Sequence, residues 1–460
     1  MKVNKSLGIL AFAGLLAPGL ALATNGYFAH GYGIKAKGMG GASLAMTHDT
    51  FGGANNPASM VWVGNRFDIG IDWFRPERSA SRTGSSAVGL VPPPFAPFFA
   101  GSSLDFSEDS SSKNFFIPEL GYNKMINPNL SLGVTIYGNG GMNTDFQDGS
   151  AIPAGNCPTP TGPSPTGNNP LCGQGKLGVN LEQLVIAPTV AFKFHPQHSV
   201  GVSPLIAYQR FAADGLQAFG GISQDPSKLT NTGHDKAAGW GVRVGWLGQI
   251  LPNLSIGASY SSKIKMDEFD EYKGLFAESG GFDIPENYGI GLAFKAMPNL
   301  TLAVDYLRIN YGGVKSIANS STIGGCMPQA GPGGSGAGDG CLGGSNGIGF
   351  GWQDIDVWKL GVQWQLNNKW TLRAGYNHGD SPIASNDVTF NILAPGVVKD
   401  HYTLGFTYHI NPQSELTVSY MHAAEESISG PTNTVYFPAG GTDTIKMFQN
   451  SLGVAYSMKF

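Results

Sequence analysis

Four groups of residues have types and spacings that chemistry uses. Gly343-Gly344-Ser345-Asn346-Gly347 has the GxSxG form of a serine nucleophile, whose hydroxyl is exposed by a sharp strand-to-helix turn. No helical pattern follows it, so the turn it needs is missing. Gly331-Pro332-Gly333-Gly334-Ser335-Gly336 has the GxGxxG form that lets backbone approach a pyrophosphate, but no strand–helix–strand unit surrounds it. His195 and His198 are spaced like two metal ligands and lack a third. Asp267, Glu268, Asp270 and Glu271 crowd carboxylates that could hold a divalent ion or simply face water. No group combines a nucleophile, a base and an orienting partner. The chain reads as a non-enzyme with no cofactor and no bound metal.

The four cysteines fall into two pairs, Cys157 with Cys172 and Cys326 with Cys341. A zinc site would show CxxC or paired histidines, and neither is present. The chain begins with an export signal: Lys2 and Lys5, an apolar run from Leu7 to Leu22, and the small-x-small site Ala21-Leu22-Ala23. Cleavage there removes residues 1–23 and delivers the rest to an oxidising compartment. Each cysteine pair is therefore expected to close a loop as a disulfide, worth about 3 kcal/mol on the chain-entropy model.

The elements that would position any site are strands. Charged residues make up 13% of the chain, against roughly 25% in ordinary soluble domains. Glycine accounts for 67 of 460 residues, about twice its usual share. After Ala23 no run of about 18 apolar residues could form a spanning helix. Instead, Trp358, Leu360, Val362, Trp364 and Leu366 alternate with polar residues, as do Tyr402–Tyr408 and Leu452–Phe460. A net charge of −4 gives no reason to expect nucleic acid as a partner.

Turn lengths choose between a soluble sandwich and a membrane barrel. Pro-Asn-Leu recurs at 128–130, 252–254 and 298–300, and similar short turns lie at 195–198, 367–369 and 411–414. Much longer connections lie near 79–113, 141–176, 212–235, 269–284, 312–352, 378–398 and 424–447. Short turns on one side and long loops on the other define a transmembrane barrel. Six turns and seven loops require fourteen strands, expected at 66–78, 114–126, 130–140, 177–194, 199–211, 236–251, 254–268, 286–296, 300–311, 353–366, 370–378, 399–410, 415–423 and 448–460. The barrel therefore spans 66–460. Its terminal Phe460 resembles the signature by which barrel assembly machinery recognises outer-membrane proteins.

Residues 24–65 are rich in Gly, Ala and apolar residues rather than in the polar residues of a tail. They are expected to plug the lumen, with a short helix within Lys35–Met46. Here Gly38-Met39-Gly40-Gly41-Ala42, Ala45, Asp49 and Asn55-Asn56-Pro57-Ala58 resemble the hatch of the FadL-like outer-membrane transporters of long-chain fatty acids and aromatic hydrocarbons. Trp370-Thr371-Leu372-Arg373-Ala374-Gly375-Tyr376, leading into Asp380-Ser381-Pro382, is similar to a further family stretch. The resemblance implies a 14-stranded antiparallel barrel closed by an N-terminal hatch. In such a barrel a hydrophobic ligand is captured outside, held within and released sideways through the wall, without covalent chemistry or an energy source. The implied partners are that ligand, outer-membrane lipid and lipopolysaccharide, and the assembly machinery, with a monomer as the working unit.

The side exit needs a break in hydrogen bonding, and proline within a strand removes a donor. Pro118 and Pro188 flank the third strand, which carries Gly133 and Gly138, and the hairpin register brings Pro118 near Tyr137 or Gly138. The gap is expected there, and the family also kinks its third strand. Strand parity turns Arg243, Lys359 and Arg373 inward, where a cation could meet a ligand carboxylate. Ala207-Tyr208-Gln209-Arg210 resembles the family segment that supplies a head-group arginine, making Arg210 the leading candidate. A second basic family residue falls at Gln353, before Asp354, and this departure leaves room for a neutral ligand. Val91-Pro92-Pro93-Pro94-Phe95-Ala96-Pro97-Phe98-Phe99 is an apolar loop suited to collecting ligand or to packing on its neighbours.

Overall fold

A computed structural model describes residues 25–90, 93–159, 162–322, 324–328, 335–432 and 439–460. The export signal, part of the apolar loop at Val91–Pro92 and most of the 331–336 glycine motif lie outside them. Fourteen antiparallel strands form one sheet: β1 (Arg66–Thr83), β2 (Phe115–Asn127), β3 (Leu130–Phe146), β4 (Leu177–His195), β5 (His198–Asp214), β6 (Asp235–Leu251), β7 (Leu254–Ser261), β8 (Asn287–Met297), β9 (Leu300–Ile309), β10 (Ile355–Gln365), β11 (Trp370–Gly379), β12 (Asp400–His409), β13 (Ser414–Pro431) and β14 (Thr442–Lys459). Each pairs with the next, and β14 closes the ring on β1 from Arg66↔Lys459 to Thr83↔Thr442.

Period-two alternation builds this wall with its apolar side outward. Ile69, Ile71 and Trp73 of β1 and Leu452, Val454 and Tyr456 of β14 are exposed, while Asp68, Asp72, Ser451 and Ser457 are buried. A soluble sheet does the reverse. An apolar exterior around a polar interior is stable only when the exterior meets hydrocarbon. The strand count and the short turns match the sequence expectation.

Several boundaries differ. β1, β3, β13 and β14 run well past the predicted ends on the long-loop side. There the strands have left the apolar belt, so residues such as Ser79, Ser81 and Arg82 no longer alternate in hydrophobicity. β7 is shorter than expected: it stops at Ser261, and Lys265–Met266 rejoins β6.

The lumen is filled by the segment before β1. Tyr27, Met39, Phe51 and Met60 are almost fully buried. Its helix covers only Ile34–Lys37, because Gly40 and Gly41 adopt positive φ and end it. Short 3-10 segments follow at Thr50–Gly53 and Pro57–Trp62. Carboxylates on the wall anchor this plug. Lys35 pairs with Glu415, which also holds Arg66. Lys37 lies 2.7 Å from Asp72 and 3.9 Å from Glu119. Asp305 accepts the Ser43 and Leu44 N–H groups at 2.7 and 2.9 Å, and Asp68 accepts from the Thr50 amide and hydroxyl at 3.0 and 2.6 Å.

Both cysteine pairs are disulfides, each closing one long loop.

Candidate ligand cavity and wall opening

Asn56 sets the path of the plug. Its Nδ2 donates to the Leu44 and Trp246 carbonyls at 2.7 and 2.9 Å. Its Oδ1 accepts from Ala58 N–H at 3.1 Å and caps the 3-10 turn that Pro57 begins. Ser199 of β5 donates to the Ala58 carbonyl at 2.8 Å. The Asn56-Pro57-Ala58 motif thus fixes plug to wall and is itself buried.

Beside it lies a cavity of about 40 Å³, lined by Phe28, Tyr32, Leu44, Ala54, Arg243, Asp305 and Lys359 among others. Arg243, on the inward face of β6, donates to the Gly53 and Ala54 carbonyls and to the Tyr137 hydroxyl. Lys359, on β10, is the cross-strand neighbour of Asp305. Among the described residues neither cation is in an ion pair. Arg243 is satisfied by carbonyl and hydroxyl oxygens, and Lys359 shares the cavity wall with Asp305, whose Oδ2 also accepts from the plug amides, so the cavity presents two buried cations beside one carboxylate.

The other predicted head-group residues are elsewhere. Arg210 has even parity on β5, whose inward residues Ser203, Leu205, Ala207, Gln209 and Phe211 are odd-numbered and buried. It faces outward, with Nη1 3.5 Å from Glu182. A one-residue offset in a strand puts a side chain on the opposite face, and local sequence likeness did not reveal that offset. The inward residue is Gln209, linked through Gln183 to Asn139 by bonds of 3.1 and 3.0 Å. Gln353 lies before β10 and is exposed, and its backbone N–H donates to the Pro382 carbonyl at 2.8 Å. Arg373 is inward and buried but bonds to Gln363 and Thr407 and does not line the cavity. In the apolar loop, Phe98 is 70% exposed and Phe99 is buried.

The wall has a break between β2 and β3. Their pairing runs from Asn127↔Leu130 to Leu120↔Ile136 and stops. Pro118 stands on one edge of the break and Gly138 on the other. β3 bulges between Gly138 and Gly140, and from there its residues are buried on both faces, as they must be if the strand turns into the lumen. The plug takes the place of β2: Ala29 N–H donates to the Asn139 carbonyl at 3.3 Å and Gly141 N–H to the Tyr27 carbonyl at 3.2 Å. A side chain added at Gly140 would run into that Tyr27 carbonyl. Ser111 N–H, donating to the Asp145 carbonyl at 2.8 Å, closes the break at its outer end. Gly133 is not at the break: it pairs with Asn123 and packs on Met60. Pro188 interrupts a different ladder, between β4 and β5, because its missing donor points away from β3.

Residues 168–459 match the family model of outer membrane protein transport proteins, OMPP1/FadL/TodX. The chain belongs to this family. The long-chain fatty acid transport protein of Escherichia coli (strain K12) is 23% identical over 456 residues, covering 88% of this chain and 89% of that protein. The crystal structure of the Pseudomonas putida toluene transporter TodX, 18% identical, superposes with a TM-score of 0.64 over 95% of this chain and 100% of that one. A Pseudomonas aeruginosa FadL homologue, 14% identical, does so at 0.62 over 96% and 100%. These OMPP1/FadL/TodX likenesses establish the barrel fold. The protein is an outer-membrane transport protein for hydrophobic substrates and not an enzyme.

For this OMPP1/FadL/TodX member, sequence reasoning missed the anchors Lys35, Lys37, Asp72, Glu119, Asp305 and Glu415. Their signal was present, since a charged residue at an inward position of a strand needs a buried partner. The partner itself lies hundreds of residues away in some cases, and alternation cannot name it.

Proposed function

We propose that this protein imports long-chain fatty acids passively. The carboxylate is held in the cavity between Arg243 and Lys359, and the ligand leaves sideways between β2 and β3. The observation that carries the reading is that two buried cations, Arg243 and Lys359, line one cavity that holds a single carboxylate, Asp305, and that among the described residues neither cation is in an ion pair. A volume of about 40 Å³ takes a head group and not a whole acyl chain, so binding has to displace plug residues around Phe28, Tyr32 and Ala54. A lateral path suits the ligand: each CH₂ kept out of water is worth about 0.8 kcal/mol, and an open aqueous pore would forfeit that at every step. The unit at work is a single barrel with residues 24–65 as its hatch after cleavage at Ala23. It is delivered by the assembly machinery and surrounded by lipopolysaccharide.

An aromatic hydrocarbon is the second reading. The rings of Tyr32 and Tyr137 are 4.7 Å apart, and those of Tyr27 and Tyr311 are 5.5 Å apart, close to the same cavity. Uptake of oleate and of toluene by cells lacking their own transporter separates the two. Oleate uptake that falls in Arg243→Ala and Lys359→Ala supports the fatty-acid reading. Toluene uptake alone, indifferent to both substitutions, replaces it with the aromatic one. Uptake of neither sinks both.

A further inference from the structure

A second interruption of the wall lies between β4 and β5. Their register runs through Ile186↔Ile206 and resumes at Val190↔Val202 without a shift, which sets Pro188 directly opposite Pro204. The ladders on the other sides are intact, with Val134↔Pro188 and Pro204↔Val242 in register. In an antiparallel ladder, opposed residues either exchange both N–H···O bonds or none. Since only the shared seam is interrupted, both missing donors belong to it, and one complete hydrogen-bonded pair is lost. Both prolines face outward and are exposed.

On the inner face the seam is bridged by side chains. Thr189 and Ser203 are the opposed residues beside the prolines, and their hydroxyls are 2.7 Å apart. Behind them lies Gly53 of the plug, where a methyl group would fall 2.8 Å from Thr189 Oγ1. The next residue, Ala54, lines the cavity that holds Arg243 and Lys359. From cavity to bilayer this line meets one glycine, one hydroxyl pair and two prolines. The two flanking ladders, β3–β4 and β5–β6, stay in register on either side of the prolines.

We propose that the β4–β5 seam is a second side exit, admitting a slim unbranched acyl chain to the hydrocarbon. It opens by parting the Thr189–Ser203 contact and shifting Gly53. Adjacent strands are about 4.8 Å apart, a spacing that backbone atoms already fill, so the seam has to part by roughly the width of a polymethylene chain; the missing bonded pair lowers the resistance to that, whereas a branched or fused-ring ligand is excluded. The inference rests on the importer reading above, and wild-type uptake of oleate is its control.

The test is a double variant, Thr189→Cys with Ser203→Cys, assayed in cells before and after cross-linking, beside a barrel cross-linked across the β2–β3 break. The expected result is residual oleate uptake with the β2–β3 break locked, and none with both locked. Pro188→Val with Pro204→Val, which restores the bonded pair, should lower uptake through a β2–β3-locked barrel about tenfold while the unheated barrel keeps its gel mobility. A bilayer-confined maleimide should also label Thr189→Cys and leave Ser131→Cys, behind a continuous ladder, untouched. If wild type imports oleate but the β2–β3-locked barrel imports none, and Thr189→Cys is not labelled, the seam is closed and the proposal is overturned. If wild type imports no hydrophobic probe but Thr189→Cys is labelled, the importer reading fails and the opening stands.

Discussion

Arg243 and Arg210 show how one residue of parity separates two roles. Both are arginines on neighbouring strands, yet Arg243 points at the cavity and Arg210 at Glu182 on the outer wall. Arg210→Ala is expected to leave oleate uptake within twofold of wild type, because Arg210 faces away from the lumen and does not line the cavity. Arg243→Ala should reduce it by roughly tenfold or more, the range for losing one charge-assisted contact. Measuring initial uptake rates for both at equal surface expression checks this. Glu415 is a different case. It is buried and holds Lys35, Arg66 and His409. Removing its charge leaves buried cations short of a partner, a loss of about 3–5 kcal/mol when such a pair is broken. Glu415→Gln should therefore lower the temperature at which the barrel loses its compact gel mobility, while a surface change such as Lys369→Gln should not move it.

At the scale of elements, the β3 bulge and the plug form one device. Gly140 has room only for hydrogen, because the Tyr27 carbonyl occupies the place of a side chain. Gly140→Val should dislodge residues 25–29 from the edge of β3, with overpacking of about 1–3 kcal/mol. Amide exchange at Ala29 and Gly141 is the measurement. Faster exchange at these two sites, with unchanged protection in β12, is expected; unchanged protection at both would show that the plug is not held by this edge. The two disulfides act on single loops, each spanning a sequence separation of 15. Reducing them should loosen the outer loops while the ring of strands, which no disulfide crosses, stays closed. Limited proteolysis within 158–171 and 327–340 reads that outcome directly.

For the whole molecule, the ring closes where β14 pairs with β1, as a membrane barrel requires, and the plug covers the β3 edge of the β2–β3 break. Phe460 is exposed, stacks on Tyr122 at 5.8 Å and donates its N–H to the Asn65 carbonyl at 3.2 Å. It thus ties the last residue to the join between plug and β1. Deleting Phe460 should lower the amount of assembled barrel in the outer membrane far more than it lowers the heat stability of the barrel that does assemble. Comparing band intensity with melting temperature separates the two effects.

The sequence by itself determined the wall. Strand period, fourteen strands, short turns and long loops all follow from local alternation and turn residues, because a strand beside lipid has its hydrophobicity set residue by residue. It also indicated that Cys157, Cys172, Cys326 and Cys341 would pair locally. It did not determine where strands extend beyond the apolar belt, since alternation ends with the lipid. The interior was beyond it for a related reason. Inward positions are polar whatever they do, so Lys359 at the cavity, Arg373 bonded to Gln363 and Thr407, and Asp305 holding the plug read alike along the chain. Which ladder a proline breaks depends on which neighbour its nitrogen faces. The β2–β3 hairpin register already set Pro118 near Gly138, but only the closed ring showed that Pro188 faces Pro204, because hydrogen bonds between strands are made across the ring and not along it.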